Sequence, residues 1–222
     1  MVQETPPSTR YAYIDLGANN GGTLKSFMNP GPGDLNYTLP EGIEPSMFEA
    51  FLFEGNPVFN RDLISVKTKY SRRTPPIHVN IYPEHVIWTK SEIVEFHLDT
   101  VNQHDSYWGS SMYKFHRDVE TSEKKGKGVD HRAYGVDLSN FLMTEFTEDD
   151  YVVVKMDIEG SEFDILPDLY YKQAHHLIDL FYVEEHKWML PKFDEGTEMK
   201  YTQAFNSIKE DGVDIRNMHT AT

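Results

Sequence analysis

The stretch that most constrains this chain is Tyr11 to Gly22, Tyr-Ala-Tyr-Ile-Asp-Leu-Gly-Ala-Asn-Asn-Gly-Gly. Tyr11, Tyr13 and Ile14 to Leu16 predict a short buried strand closing on Asp15. Gly17, Gly21 and Gly22 predict a turn, and Thr23 to Phe27 reads as the start of a helix. Strand, glycine turn and helix in that order form the nucleotide-binding corner of an open α/β sheet. Glycine lets the backbone pass close to a ligand, and a helix start presents free N–H groups.

The glycine spacing is not the dinucleotide pattern G-x-G-x-x-G, which weakens a nicotinamide reading. Here Asp15, Gly17, Asn19 and Gly21 stand at alternate positions. A pyrophosphate would favour a positive helix end without an acid beside it. An acid just before the turn favours a cationic or amino-bearing ligand instead, and S-adenosylmethionine carries both an amino group and a sulfonium.

The 222 residues suffice for one α/β domain. Residues 1–10, with Pro6-Pro7, read as a linker or tail, and 11–222 as a single domain, which could be one module of a longer protein. There is no signal-peptide pattern and no run of about 18 apolar residues. A soluble, cytoplasmic chain without membrane contact is the expectation. Zero cysteines exclude disulfides and thiolate metal sites. Net charge is −15, from 36 acidic and 21 basic residues, the wrong sign for a nucleic-acid surface. A neutral partner such as a sugar or glycan fits better. The single tight basic run, Lys124 to Lys127, reads as part of a mobile stretch from His116 to Asp130.

Asn29 to Pro45 is rich in glycine and proline, either a surface insertion or a lid. Met47 to Glu54 predicts the second strand, Gly55-Asn56-Pro57 a turn, and Val58 to Tyr70 a helix. An acid closing the second strand suits ribose hydroxyls, which makes Glu54 a candidate. Ile77 to Thr89 contains the next strand, with His85 to Trp88 as its apolar end; Trp88 fits beside an adenine ring or in the core. Ile93 to Leu98 alternates as a half-buried strand, and the aromatic loop Asn102 to Lys114 is of the kind that lines sites. Tyr134 to Phe141 combines a short strand with a helix start that Asp137 or Ser139 could cap.

Tyr151 to Leu166 is the second informative stretch. Val152 to Val154 has parallel-sheet character. Lys155, Asp157 and Glu159 follow at alternate positions and share one face while the chain stays extended. Three such charges at a buried strand end are costly unless paired or used. Ile178 to Val183 predicts another buried strand, ending in Glu184-Glu185-His186, before a helix over Met199 to Asp211 and a last strand over Val213 to Met218.

Four motifs together resemble the FkbM-type S-adenosylmethionine-dependent methyltransferases: Ile14 to Gly21, Phe53 to Pro57, Val154 to Glu162 and Val183 to His186, with Asp137 to Leu142 in the place of the family's leucine- and aspartate-rich segment. The likeness runs from Tyr11 to His186. It implies a Rossmann-like class I methyltransferase fold: a mostly parallel seven-stranded sheet, one strand antiparallel near its edge, and helices on both faces. It also implies O-methylation, often of a sugar or polyketide hydroxyl. On this reading Asp15, Gly17, Asn19, Asn20 and Gly21 surround the methionine part of the donor. Glu54 and Asn56 meet its ribose side, Trp88 its adenine, and Asp157 its reactive end.

Methyl transfer needs a base near the acceptor oxygen. Asp157, Glu159 and His186 are the candidates, with Lys155 to orient an acid or the hydroxyl. The same two carboxylates and histidine are compatible with a divalent ion that polarises a diol, although no ligand set of tight spacing predicts a metal. The rival readings are an RNA or protein methyltransferase and a non-catalytic module binding a nucleotide-like ligand or partner.

Overall fold

The computed structural model describes residues 9–29, 35 and 37–218. In chain order its elements are β1 (Tyr11–Leu16), α1 (Gly22–Met28), β2 (Glu49–Glu54), α2 (Asn60–Ser71), β3 (Val79–Pro83), β4 (His85–Trp88), β5 (Glu92–Leu98), α3 (Arg117–Lys124) and β6 (Val129–Asp137). They continue as α4 (Leu138–Glu145), β7 (Tyr151–Met156), α5 (Glu162–Tyr171), β8 (Leu180–Val183), α6 (Thr197–Glu210) and β9 (Asp214–Asn217), with short 3-10 turns between.

Six strands form the central sheet in the order β3-β2-β1-β7-β8-β9, and every neighbouring pair is parallel. This is the Rossmann-like α/β arrangement, its order reversing between β1 and β7. The sequence reading expected seven strands with one antiparallel; the described residues give this sheet six. Antiparallel pairing occurs instead in a separate three-stranded sheet, β4-β6-β5, where β5 runs against β6.

Alternation along the strands sorts the core into two layers. Ala12, Ile14 and Leu16 of β1, with Val152, Val154 and Met156 of β7, pack with Leu142 of α4, Leu166 of α5 and Ile208 of α6. Tyr13, Leu52 and Val153 point the other way, onto Leu24 and Phe27 of α1 and Leu63 of α2. Helices therefore cover both faces. Each fully buried Leu, Ile, Val or Phe contributes roughly 1.5–3 kcal/mol, so either layer is a major source of stability.

The single strand expected within Ile77 to Thr89 is two. Glu84, at φ 60, turns the chain from β3 in the main sheet to β4 in the small one. The stretch from His116 to Asp130, read as mobile, instead forms α3 and the start of β6, with His116 fully buried at the helix start. Charge and low hydrophobicity suggested mobility there, but Val119 and Ser122 are buried. Asp137 caps α4 by accepting the Asn140 N–H at 3.0 Å. Residues 1–8 of the expected tail and 30–34 and 36 of the expected insertion or lid lie outside the described residues. Arg10, at the tail's end, belongs to the body: its guanidinium pairs with Glu49 at 2.6 Å. Of the insertion, Leu35 is buried, and Tyr37, Leu39 and Ile43 pack on the α1 layer. Among the described residues no helix is long and apolar enough to cross a membrane.

Candidate active site

The carboxyl ends of β1 and β7 meet where the strand order reverses. Asp15 stands in register with Lys155, and Leu16 with Met156. Beyond the strands the two turns touch. The Asp157 N–H donates to the Leu16 carbonyl at 3.0 Å. Gly17 has φ +80, and a Cβ there would lie 1.9 Å from the Asp157 carbonyl oxygen. Only glycine allows this approach. The Gly17 and Ala18 N–H groups both donate to the Phe53 carbonyl, at 3.1 and 2.9 Å, which ties β2 into the same junction.

Glu54 closes β2 as expected and is buried. Its carboxylate accepts the Asn19 N–H at 2.7 Å and the Asn56 N–H at 2.6 Å. Burial pushes its pKa up to about 7, against the pull of those two donors. Lone pairs remain on both oxygens for a further donor.

Lys155 is buried at the end of β7. Its ammonium donates to the Gly17 carbonyl at 2.7 Å and lies 3.2 Å from Asp15 and 3.6 Å from Asp157. Burial alone would lower its pKa, but Asp15 and then Asp157 carry it above its ordinary value. Asp15 was expected to face a cationic ligand. It is wholly buried and absent from the cavity walls described below. Its cation is Lys155, directly opposite on the neighbouring strand. Burial raises the Asp15 carboxyl, and Lys155 pulls it back.

Asp157, Glu159 and His186 converge, although not through one extended face. β7 ends at Met156, and Glu159 turns back at φ 51. His186 Nε2 lies 3.1 Å from Glu159 Oε2 and 3.8 Å from Asp157 Oδ1. Its Nδ1 lies 3.0 Å from Glu162 Oε1, and its backbone N–H donates to the same oxygen at 2.8 Å. His116 Nε2 reaches Glu159 Oε2 from the other side at 2.9 Å. Burial opposes charge on His186, yet Glu159 and Glu162 hold its pKa well above the ordinary value. The converse holds for Glu159: burial pushes it up, but His186 and His116 together bring it down to about 2. Burial raises Asp157, with Lys155 opposing, and lifts Glu184 to about 7, reinforced by the Asp157 charge. Of these three groups, Asp157 alone lines both the open space at the strand ends and its adjoining recess.

That space is a cavity of about 590 Å³, partly open to solvent, at the β1, β2 and β7 turns. Gly17, Asn19, Glu54, Asp157, Glu159 and Ser161 supply its polar wall; Phe53, Phe59, Val86, Ile87, Phe96 and Met112 supply the apolar one. A second, shallower recess continues past Asn19, Asn20, Lys155 and Asp157. The aromatic loop after β5 roofs both, with Trp108 lining each. It is fastened to three turns. Ser106 accepts from the Asn19 side chain at 3.3 Å, Ser110 from the Asn56 side chain at 3.1 Å, and the Ser111 hydroxyl donates to the Glu159 carbonyl at 2.7 Å.

Four further residues expected at the site lie off the walls of both spaces. Trp88 lines neither space; it stands at the far end of β4 opposite Asp137, and His85, Val86 and Ile87 face the cavity instead. Gly21 is also absent from the walls. Its φ is +77, and an added Cβ would meet Val66 at 2.8 Å, so it serves the packing of the turn on α2. Asn56 is buried outside the walls and fixes Glu54 and Ser110. His186 likewise stands behind Asp157 and Glu159 rather than at the surface of the cavity. His116 was not singled out, and no local pattern marks it; it joins the site through Glu159, 43 residues away. Ser161 stood within the Val154 to Glu162 motif without a role of its own, and the cavity gives it one. Compared with protein-family models, curated proteins and solved structures, the chain finds no match.

Proposed function

We propose that this protein is an S-adenosylmethionine-dependent O-methyltransferase acting on a hydroxyl of a sugar or glycan. The observation that carries the reading is convergence. Three stretches resembling FkbM-type motifs, far apart in sequence, line one cavity at the sheet's reversal point, where open α/β sheets take their ligands, and the fourth reaches it through His186, which stands behind Asp157 and Glu159. The six parallel strands are read here as belonging to the class I methyltransferase form of the fold.

The residues suit such a donor. Glu54, already oriented by two backbone donors, can accept ribose hydroxyls. The apolar wall and Trp108 can hold a flat heterocycle, and Gly17 borders the same space. When bound, the donor supplies an electrophilic methyl group on a sulfonium. The chain's own part is to hold the acceptor oxygen about 3–3.5 Å from that carbon and remove its proton. Asp157 takes the proton. Glu159, gripped by His116 and His186, fixes the turn that carries Asp157, and Lys155 keeps that carboxylate beside the β1 turn.

The test is calorimetric titration with the methyl donor and its demethylated product, followed by a transfer assay over sugar acceptors. Both ligands should bind. Asp157→Ala should abolish transfer while donor affinity stays within a few-fold. Absence of donor binding would overturn the assignment, and full transfer by Asp157→Ala would remove that residue from the mechanism.

A further inference from the structure

Asp157, Glu159 and His186 are mutually close, one ligand atom from each falling within 4.8 Å of the others, and His186 Nε2 lies 3.8 Å from Asp157 Oδ1 and 3.1 Å from Glu159 Oε2. Behind them stands a buried supporting layer. Glu162, fully buried, meets His186 Nδ1 at 3.0 Å, which leaves Nε2 as the ring atom aimed at the carboxylates. His116 holds Glu159 at 2.9 Å. A carboxylate behind a histidine, and a second donor behind a ligating carboxylate, are how metal ligands are oriented.

Two polar atoms at this wall make no hydrogen bond. Asp157 Oδ1 is out of solvent contact without a hydrogen bond, although its side chain as a whole is 29% exposed. The Ser161 hydroxyl is also unpartnered; Ser161 is 1% exposed and lines the same cavity as Asp157 and Glu159. A buried polar group with no partner costs free energy unless a ligand or its water satisfies it.

We propose that Asp157, Glu159 and His186 form a binding site for one divalent cation of the Mn²⁺ type, open toward the cavity. Two carboxylates and an imidazole that releases its Nε2 proton to solvent on binding match its charge and its preference for oxygen with some nitrogen. The remaining coordination positions face the space that Ser161 lines and are filled by water or an acceptor hydroxyl. His186 then keeps its proton on Nδ1, donated to Glu162, and Asp157 retains Oδ2, beside Lys155, to accept the hydroxyl proton. The cation's purpose, polarising an acceptor oxygen, rests on the O-methyltransferase reading; its binding does not.

Two other His/carboxylate groups serve as internal comparisons. At Glu95, His97 and Asp130, Lys114 already supplies a cation, 3.2 Å from Glu95 and 3.1 Å from Asp130. The third group, His175, His176 and Asp211, has two exposed members and lines neither the cavity nor its recess.

The experiment is a titration of the full chain with MnCl₂, with free Mn²⁺ read by electron paramagnetic resonance and no methyl donor or acceptor present. One site is expected, weakened at least about tenfold in Asp157→Asn and in His186→Gln and unchanged in the double variant Asp130→Asn/Asp211→Asn. Should His186→Gln not fold, Asp157→Asn, at the partly exposed position, decides alone. The proposal is overturned if no site binds more tightly than about 1 mM, if Asp157→Asn binds like the parent chain, or if binding disappears in the double variant. Methyl transfer is not measured, so either reading can fail without the other.

Discussion

Replacing Gly17 by alanine strikes the junction on which the site depends. The new Cβ would sit 1.9 Å from the Asp157 carbonyl oxygen, where ordinary contact begins at 3.4 Å, so the two turns must part by about 1.5 Å. That oxygen is backbone, and its neighbouring N–H is tied to Leu16 in the sheet, so a side-chain rotation cannot relieve the clash. The residue would also carry a φ of +80, costing roughly 1–2 kcal/mol. Overpacking of a fixed neighbour adds roughly 1–3 kcal/mol. Gly42 is the control: its φ is +83, but nothing lies within 4 Å of its added Cβ, so Gly42→Ala incurs the backbone cost alone. With a urea m-value of about 3 kcal/mol/M, Gly17→Ala should lower the unfolding midpoint by about 1 M and Gly42→Ala by about 0.4 M. A shift of this size between Gly17 and Asp157 should also cut methyl transfer by about a hundredfold. If the two variants unfold within about 0.2 M of each other, the close approach of the turns is not what Gly17 is needed for.

Two further outcomes follow from the buried charges. Lys155→Met leaves Asp15 without its cation and should destabilise the fold by about 3–5 kcal/mol at pH 8. Adding Asp15→Asn should restore much of this, and equal stability of the single and double variants in urea would refute the pairing. Glu54 has a folded-state pKa raised to about 7 from 4.5. Its penalty is absent below the unfolded value, grows as pH rises from about 4.5 to 7, and levels off above that at about 3 kcal/mol. The parent chain should therefore gain less stability, or lose more, than Glu54→Gln between pH 5 and 8, and parallel stability curves for the two would contradict this.

Much of the architecture was legible locally. Strands β1, β2, β7 and β8 are buried on both faces and read as apolar runs, and the breaks at Gly17, Gly55 and Gly160 mark where each βα turn begins. Those runs and turns identify a parallel α/β sheet, and they place Asp157, Glu159, His186 and Glu54 at strand ends before any contact is known. Periodicity could not distinguish β3 from β4, because both are short apolar runs and the turn between them is made by one residue, Glu84, in a left-handed conformation. Nor could it recognise His116 in a charged stretch, since the partner that buries its role, Glu159, lies 43 residues away.

The sequence by itself determined the central strands β1, β2, β7 and β8 and the residues that end them, because strand period, glycine turns and helix caps act over a few residues. Tertiary structure alone decided where the charges point. Asp15 faces Lys155 rather than a ligand because β1 and β7 lie in register, and Gly21 packs on Val66 while Gly17 borders the cavity. Trp108, not Trp88, reaches the cavity because the loop after β5 is fastened across three turns. Which buried charge finds a partner depends on strand pairing and loop anchoring between residues tens to more than a hundred positions apart, and no local pattern carries that information.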